Sequence, residues 1–478
     1  MALIVAVFAV TARNDFVTID DRIYIYANPQ VLQGLTPQTL AWALQSTEDA
    51  NWYPLRRLTH LVDVSLFGLW AGGHHLVSVA WHAVAAVLLF LALRLMTGAI
   101  WRSLAVAALF GIHPLQVESV AWAAERSNVL AGFFFGLTLL LWARYARRPG
   151  GARYVAVALS LSLGLMAKPI LMTVPMLLFL LDFWPLNRLR APGSPPWRPA
   201  KDSLVRCLLE KAPLLALAAA SGAVALVLHR SAGALQELEA LPLAARLGNA
   251  LLSYWWYLGK LLWPSGLAIQ YPHPGQELPG GMVLLAGFGL AALTAALLAQ
   301  ARCRPWLCAG WLWFLGTLVP MIGIVQFGSH AMADRFAYLP SIGCLVAAVW
   351  LVAEALESPR AAAAGAAAAV LVLGALAAAT VVQSAHWRNS RTLYEHALAV
   401  TAGNWVAHYG LAEVLRQQGS LTEAVAHYRE ALRHNPGCWQ ACNNLALTLG
   451  KLGNAEAAHR FLQEAFRLRQ RAGISAAR

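Results

Sequence analysis

The stretch "LVSVAWHAVAAVLLFLALRLMT", residues 76–97, decides the fold class of this chain. It carries one strongly charged residue, Arg94, and is otherwise almost entirely apolar. A helix rises about 1.5 Å per residue, so about 20 apolar residues cross the roughly 30 Å hydrocarbon core of a bilayer. The stretch therefore predicts a membrane-spanning helix.

Similar apolar runs recur along most of the chain and predict an all-α, polytopic membrane helical bundle of about eleven spans. The predicted spans lie near residues 1–12, 76–97, 103–117, 128–146, 154–168, 169–187, 212–229, 281–300, 306–325, 337–356 and 361–382. The first covers only roughly 18 Å, so it is either a thin helix or the end of a longer one. A cleaved signal peptide is the competing interpretation, which the lack of a basic segment after Met1 disfavours.

Composition supports a membrane protein and argues against nucleic acid as a partner. Of the 478 residues, 59% are hydrophobic and only 12% are charged. The net charge of +13 comes from Lys and Arg residues scattered between the apolar runs, where they act as topology signals. Cys438 and Cys442 lie four positions apart on a predicted helix, but two further zinc ligands are missing, so we predict helix packing there.

Basic residues also predict the orientation, because cytoplasmic loops are enriched in Lys and Arg. The basic turns leave four loops outside, together with the tail after about residue 383: 13–75, 113–127, 229–280 and 326–337. The N-terminus is then cytoplasmic and the C-terminus outside. Residues 247–264, "LGNALLSYWWYLGKLLWP", should lie in the outer interface or re-enter it, since a full crossing would move Arg302 to the outside.

The polar tail predicts a second domain. Segments starting at Trp405 and Trp439 are offset by 34 residues. At that offset small or apolar residues coincide, namely Leu411 with Leu445, Ala412 with Ala446, Gly419 with Gly453, Ala424 with Ala458 and Ala431 with Ala465. This period is the signature of tetratricopeptide repeats, which stack helix pairs into a concave binding surface. We therefore predict a membrane domain over 1–382 and an α-solenoid of repeats over 387–470.

The predicted outer loops contain most of the residues that could carry chemistry. Residues 18–25, "TIDDRIYI", place Asp20 and Asp21 beside an apolar segment, where carboxylates are costly and seldom kept without a role. The other polar residues in these loops or at their edges are His113, Glu118, Glu125, Arg126, Lys168, His330, Asp334 and Arg335. Each could be structural by itself, because charges near a bilayer often pair with one another. Together they bring carboxylates, cations and histidines to one membrane face.

Several blocks of sequence give a more specific indication. They read "FVTIDD", "HPLQVESVAWAAERSNVLAG", "AKPILMTVPMLLFLLDFWP", "YWWYLGKLLWP" and "MADRFAYLPSIG", followed by the repeats. In this combination the chain resembles the transmembrane and tetratricopeptide-repeat protein O-mannosyltransferases and their bacterial relatives, over essentially its whole length. Such proteins are similar to the multi-span type C glycosyltransferases, which take a sugar from a polyprenyl-phosphate carrier. The repeat array here is brief, whereas eukaryotic relatives carry long ones.

The resemblance implies that an acidic residue in the first outer loop is the catalytic base, which maps onto Asp20 or Asp21. The predicted activity is transfer of one monosaccharide, mannose by the resemblance, from a polyprenyl-phosphate carrier to a hydroxyl acceptor. Ser or Thr of exported proteins, presented by the repeats, is the favoured acceptor, and a lipid or a polysaccharide is the alternative. Displacement with one base inverts the anomeric centre. No cofactor is expected, because the lipid-linked sugar is a substrate, and an essential metal is not expected either.

The remaining polar residues receive roles by their chemistry. The donor phosphate needs cations, for which Arg335, Arg126 and Lys168 are the candidates. The supporting polar residues are His113, Glu118, Glu125, Asp334 and His330. Trp52, Tyr53 and Tyr271 could line the sugar or could simply pack. The sequence does not identify acceptor-binding residues, the sugar, or which aspartate is the base.

Two other classes of function compete with a transferase. The chain could be a membrane scaffold whose repeats recruit a periplasmic partner, although eleven spans exceed what an anchor needs. It could also be a transporter, although its charges lie at one face and the membrane part shows no internal repeat. The use of Ala, Arg and Gly suits a GC-rich bacterium, so we predict the inner membrane, with the repeats in the periplasm.

Overall fold

The computed structural model describes residues 1–47, 50–189, 200–233, 241–275, 277–326 and 328–471. Within these ranges, five helical segments are long and apolar enough to cross a membrane. They are Ala71–Thr97 (α4), Ala123–Arg147 with α7 (Arg126–Arg147), Lys201–Ser231 (α10), Gly280–Arg302 with α12 (Gly280–Ala299), and Pro359–His386 (α15). The described chain is almost entirely helical, with one small sheet of two strands, which confirms the predicted all-α class.

Shorter helices account for the other predicted spans. One pair, α5 (Ile100–Ile112) and the segment Pro114–Ala121 with α6 (Val117–Ala121), is bent by 55° and passes the same test as a unit. Four further apolar segments are Ala2–Arg13 with α1 (Ala2–Phe8), α8 (Gly151–Ala167), Pro169–Phe183 with α9 (Val174–Phe183), and α14 (Pro340–Ala355). These are shorter than the ~20 residues of a straight crossing. Eleven full crossings therefore remains a prediction.

The remaining elements of the membrane part lie in or near the predicted outer loops, except α13 (Pro305–Leu318), which overlaps the span predicted at 306–325 and is shorter than a straight crossing. The others are α2 (Pro37–Gln45), α3 (Pro54–Phe67), α11 (Leu243–Leu262) and the strands β1 (Tyr271–Pro272) and β2 (His330–Met332). The strands pair antiparallel and join two loops at one end of the bundle. Helix α11 is not among the spanning candidates, and its interfacial position stays a prediction.

Glycines let the central helices approach closely, as is common in membrane bundles. A Cβ on Gly310 in α13 would lie 2.4 Å from the carbonyl oxygen of Gly343 in α14, and the reverse substitution would meet the same obstacle. A Cβ on Gly136 in α7 would lie 2.9 Å from Leu88 in α4. Helices α4 and α7 are also the most enclosed of the long helices, since half or more of each is buried.

The three other long helices present most of their surface outward. At most 11% of the apolar window of α10, α12 or α15 is buried. A helix that is apolar on all sides and mostly exposed is expected to be solvated by lipid. These helices therefore form the lipid-facing margin of the bundle.

A buried ionic network fixes the end of the bundle where α7 finishes. Asp182 forms ion pairs with Lys211 and with Arg188, whose Nη1 lies 3.1 Å from an Asp182 oxygen. Arg188 also pairs with Glu210 at 2.8 Å. The indole of Trp142 donates a hydrogen bond to Asp182 at 3.1 Å. The network joins α9, α7 and α10, since its side chains come from these helices and from the segment after α9. Removing one partner would leave a buried charge unpaired, which is strongly destabilising.

The C-terminal helices confirm the predicted repeats. They are α16 (Ser390–Val400), α17 (Trp405–Gln417), α18 (Leu421–His434), α19 (Trp439–Lys451) and α20 (Ala455–Arg471). Leu411 and Leu445 are buried at equivalent positions. The equivalent glycines Gly419 and Gly453 both adopt a positive φ, 85° and 81°, which explains why each helix pair turns at a glycine.

The repeats are attached to the membrane part without a flexible linker. Only residues 387–389 separate α15 from α16, and the Trp387 ring is buried against Trp122 at 5.8 Å between centroids. The Asn404 side chain donates to the Gln270 carbonyl oxygen at 2.9 Å, and the His396 ring lies 2.9 Å from the Leu267 carbonyl oxygen. We call the end of the bundle that meets the repeats the repeat-side face.

Candidate functional site

A chain of alternating charges lies at the repeat-side face. The backbone N–H of Arg335 donates to a Glu118 carboxylate oxygen at 2.7 Å, and its guanidinium pairs with the same carboxylate. On its other side the guanidinium lies 3.4 Å from Glu125, which pairs with Lys168 at 2.8 Å. Although burial lowers the pKa of Arg335, the nearby carboxylates raise it above its ordinary value. Four of the predicted site residues therefore form one cluster, drawn from three different loops.

Asp20 and Asp21 face different surroundings. Asp20 is half-buried, and its carboxylate is close enough to Arg335 to raise the pKa of that guanidinium. Asp21 is fully buried, and its two carboxylate oxygens accept from the backbone N–H groups of Val17 at 2.9 Å and Ala124 at 2.7 Å. Asp21 therefore fastens the first loop to the segment that carries Glu125, while Asp20 acts electrostatically on Arg335 of the charge cluster.

The buried Asp21 predicts a measurable pH dependence of stability. Burial raises its pKa from the ordinary 3.8 to about 7, although the hydrogen bonds from Val17 and Ala124 lower it. The folded chain thus holds this proton more tightly than the unfolded chain. Its stabilisation is complete below about pH 4 and is lost as the pH rises through about 7.

We expect the Asp21 proton to account for a loss of about 2 kcal/mol in the free energy of unfolding between about pH 5.5 and 8. Asp21→Asn should remove this pH-dependent contribution to the free energy of unfolding. The melting temperature of the variant should therefore fall less than that of the wild type between about pH 5.5 and 8. The exposed Asp15 in the same loop provides the matched control, Asp15→Asn. Equal slopes for wild type and Asp21→Asn would contradict the assignment.

Arg56 in α3 is a site residue that the sequence analysis did not single out. It is 4% exposed, and its guanidinium carbon lies 3.9 Å from the centre of the Tyr24 ring and 5.1 Å from that of Tyr53. Its Nε and Nη2 atoms have no hydrogen-bond partner, and it makes no ion pair within the part of the chain that the structure describes. It nevertheless acts electrostatically on Glu125 and Lys168.

A cleft of about 400 Å³ opens beside the cluster. Its polar lining includes Tyr53, Glu125, Lys168, His330 and Arg335. Its apolar lining includes Met172, Gly222, Ala225, Leu226 and Met321, three of which belong to the lipid-facing helix α10. Asp20 and Arg56 are not lining residues, but Asp20 acts electrostatically on Arg335, and Arg56 lies against Tyr53. The cleft therefore joins a charged end to a lipid-facing wall.

Two of the supporting residues serve mainly to shape the loops. The buried His113 ring accepts from the Leu115 N–H at 3.2 Å and lies 3.0 Å from the Leu261 carbonyl oxygen. Asp334 is buried and accepts from the Tyr271 hydroxyl at 2.9 Å. Burial and the neighbouring Glu118 raise the pKa of Asp334, so this carboxyl group is biased toward its neutral form. Trp52, proposed as a sugar-lining residue, donates its indole N–H to the Leu44 carbonyl oxygen instead.

Arg126 is not part of the cleft. It is fully buried, pairs with Asp63 at 2.6 Å, and donates to Ser78 at 2.8 Å and to the His74 carbonyl oxygen at 2.6 Å. Its predicted role in phosphate binding therefore has no geometric support. His60, Asp63 and His74 could together hold a metal ion by distance, but Arg126 already occupies the carboxylate of Asp63. A second cation at that point would meet an uncompensated repulsion.

Comparisons with known proteins identify the repeats and several longer proteins that are similar to this chain. Two family models described as tetratricopeptide repeat match residues 405–438 and 440–472. The fly protein named protein O-mannosyl-transferase Tmtc2 (Drosophila melanogaster) is 32% identical over 34% of this chain and 19% of its own length. The human protein O-mannosyl-transferase TMTC1 is 24% identical over 89% of this chain and 54% of its own length.

The mouse protein O-mannosyl-transferase TMTC4 is 24% identical over 88% of this chain and 64% of its own length. The chain therefore spans less than two thirds of these relatives, and the longer matches cover both the membrane part and the repeats. The chain is similar to proteins named protein O-mannosyl-transferase, and its described residues form an apolar helical bundle followed by tetratricopeptide repeats.

Proposed function

We propose that the chain is a glycosyltransferase that moves a monosaccharide from a polyprenyl-phosphate carrier to a hydroxyl group of a protein. The observation that carries this proposal is the cleft at the repeat-side face, where Arg335 and Lys168 line a charged end next to a lipid-facing wall. Asp20 acts electrostatically on Arg335, and Arg56 lies against the lining residue Tyr53. The relatives' names support mannose as the sugar and a protein as the acceptor.

The cleft suits a donor with a charged head and an apolar tail. The tail would lie against the apolar surface of α10 and remain in the bilayer, so the donor would enter from the side. The phosphate would lie at the charged end. Arg335 and Lys168 are already paired with glutamates, whereas the Nε and Nη2 atoms of Arg56 have no hydrogen-bond acceptor among the described residues. Arg56 is therefore the cation that a phosphate would stabilise most, because a buried charge without a partner is costly.

Asp20 is the proposed base. The acceptor oxygen attacks the anomeric carbon, the bond from that carbon to the phosphate oxygen breaks, and the hydroxyl proton moves to the Asp20 carboxylate. The electron pair of the broken bond stays on the polyprenyl phosphate, whose charge Arg56, Arg335 and Lys168 would stabilise. One displacement inverts the anomeric centre, and no step needs a metal ion or another cofactor.

The repeats are proposed to present the acceptor. They contact the loop of the base directly: Ser390 accepts from the Thr18 backbone N–H at 2.8 Å, and the Tyr394 and Thr18 hydroxyls lie 3.4 Å apart. The Asp15 N–H donates to the Arg388 carbonyl oxygen at 2.8 Å. For a bacterial chain, this face would lie on the periplasmic side of the inner membrane.

Purified protein in lipid vesicles tests the proposal. Polyprenyl-phosphate mannose with a labelled sugar is supplied together with an extract of periplasmic proteins, and label on protein is measured against vesicles without the enzyme. Transfer to protein supports the proposal. If label stays on the lipid with mannose and with other polyprenyl-phosphate sugars, the proposal fails and a scaffold that recruits a partner through its repeats becomes the better account.

Ser390→Ala should lower kcat about tenfold and leave KM for the donor unchanged. The change removes the acceptor for the Thr18 N–H, and an unsatisfied buried donor costs about 1–3 kcal/mol, which would loosen the loop that holds Asp20. KM for the donor should stay unchanged because other segments carry the proposed phosphate-binding cations, Arg56, Arg335 and Lys168. Ser420→Ala is the matched control, because Ser420 lies in the repeats and makes no side-chain capping bond. A rise in donor KM with unchanged kcat would contradict a positioning role.

A further inference from the structure

Three histidines and a glutamate converge between the two helices of the first complete repeat. His408 projects from α17, and His427, Glu430 and His434 project from α18. The three residues of α18 follow the spacing i, i+3, i+7, which places them on one face of the helix. This group has no role in the proposed transfer reaction, and it lies outside the membrane part.

His408 lies between two parts of this group, with His427 on one side and Glu430 and His434 on the other. The Nδ1 atoms of His408 and His427 are 3.0 Å apart. His408, Glu430 and His434 each offer a ligand atom, and these atoms all lie within 4.8 Å of one another. Ligand atoms around a tetrahedral zinc ion, with bonds of about 2.0–2.1 Å, are about 3.3 Å apart. Small rotations of partly exposed side chains would therefore close the group around an ion.

The chemistry of the group also suits zinc. Imidazole nitrogen and carboxylate oxygen are both ligands that zinc binds in proteins. The one cation in direct contact among the described residues is Arg433, whose Nη1 lies 3.4 Å from a Glu430 oxygen. Both side chains of that pair are largely exposed, so the pair is weak and can yield to a divalent ion. At the buried Arg126–Asp63 pair, by contrast, a divalent ion could not easily displace the arginine from the carboxylate.

We propose that His408, His427, Glu430 and His434 form a zinc site that clips α17 to α18. Three imidazoles and one carboxylate are donors of the kind that this ion binds. The site is next to the attachment of the repeats: a Cβ on Gly403 would be 3.5 Å from the His434 ring, and the neighbouring Asn404 binds Gln270. Bound zinc would therefore stiffen the repeat that is fastened to the membrane part. This inference does not depend on the transferase activity.

The test uses the full chain in detergent, purified with a tag that contains no histidine. Metal is removed with a chelator, zinc chloride is titrated by calorimetry, and bound zinc is counted by mass spectrometry. We expect one zinc ion per chain, and a rise in melting temperature on binding. His434→Ala should weaken binding at least tenfold, because it removes an exposed ligand without disturbing the packing. His408→Ala should do the same from the other helix.

His459→Ala is the matched control, since His459 is an exposed histidine of α20 outside the group. It should bind zinc like the wild type. Arg433→Ala should bind at least as tightly, because Glu430 loses a competing partner. The proposal is overturned if the wild type binds no zinc, or if His434→Ala and His459→Ala bind it equally. Circular dichroism before the titration identifies any variant that fails to fold; if His408→Ala does, the comparison of His434→Ala with His459→Ala decides.

Discussion

Asp20→Asn should abolish sugar transfer while the protein still folds and binds its donor. A positioned general base contributes about 10²–10⁴-fold to a rate, and asparagine keeps the shape of the side chain without accepting the proton. We therefore expect kcat to fall by at least about 100-fold in the vesicle assay, with donor KM little changed. Asp20 is only half-buried, whereas Asp21 is enclosed, so the melting temperature should stay close to that of the wild type.

Two variants make this result decisive. Asp15→Asn removes an exposed carboxylate from the same loop and should retain full activity. Asp21→Asn should lose stability at low pH and only part of the activity, since it weakens the fastening to Ala124. If Asp21→Asn were folded and inactive while Asp20→Asn kept most of its activity, Asp21 would be the base and Asp20 would not.

Arg56→Gln should raise KM for the donor by about 10–100-fold and should also raise the melting temperature. Hydrogen bonds to a charged group contribute about 1.5–3 kcal/mol, which sets the expected loss of donor affinity. The same change removes a buried guanidinium that has no carboxylate partner among the described residues, and such a group lowers stability until a ligand binds. Opposite effects on affinity and stability would mark Arg56 as a ligand-binding residue rather than a structural one.

The comparison variants separate charge from geometry. Arg56→Lys keeps the charge without the planar donor pair, and it should recover part of the donor affinity. Arg22→Gln removes an exposed cation from the loop that carries the base, and it should leave KM unchanged. Unchanged donor KM in Arg56→Gln would refute the role in phosphate binding, and a lower melting temperature would show that Arg56 serves the fold.

The repeats and the helical class could be predicted from sequence because both are periodic. The 34-residue offset identified equivalent positions correctly, including the turn glycines Gly419 and Gly453. The span count was harder, since Gly151–Ala167 and Pro340–Ala355 are apolar but short. Hydropathy alone cannot say whether such a segment crosses alone, tilts or packs beside a bent pair.

The site was predictable only in part, because the sequence does not show in which direction each side chain points. Glu118, Glu125, Lys168 and Arg335 were selected as polar residues of predicted outer loops or their edges, and they do meet. Arg126 was selected for the same reason, but it follows Glu125 and points away to Asp63.

Arg56 and Arg57 show the same limitation in α3. Neighbours on a helix point about 100° apart. Arg57 turns to the Ser46 and Asn51 carbonyl oxygens and holds a loop, whereas Arg56 turns to the rings of Tyr24 and Tyr53. Nothing in the pair "RR" distinguishes the two roles.

The rigid attachment of the repeats would fix how far a segment bound to the repeats lies from Asp20. Thr18 is bonded to Ser390, and Asn404 is bonded to Gln270, so the distance from the groove of the repeats to Asp20 is fixed. An extended chain covers about 3.3–3.6 Å per residue, so a segment held by the repeats in the proposed way would bring only certain of its residues to Asp20. The modified hydroxyls of different acceptors should then lie at one constant spacing from the bound segment, even where their sequences share nothing else.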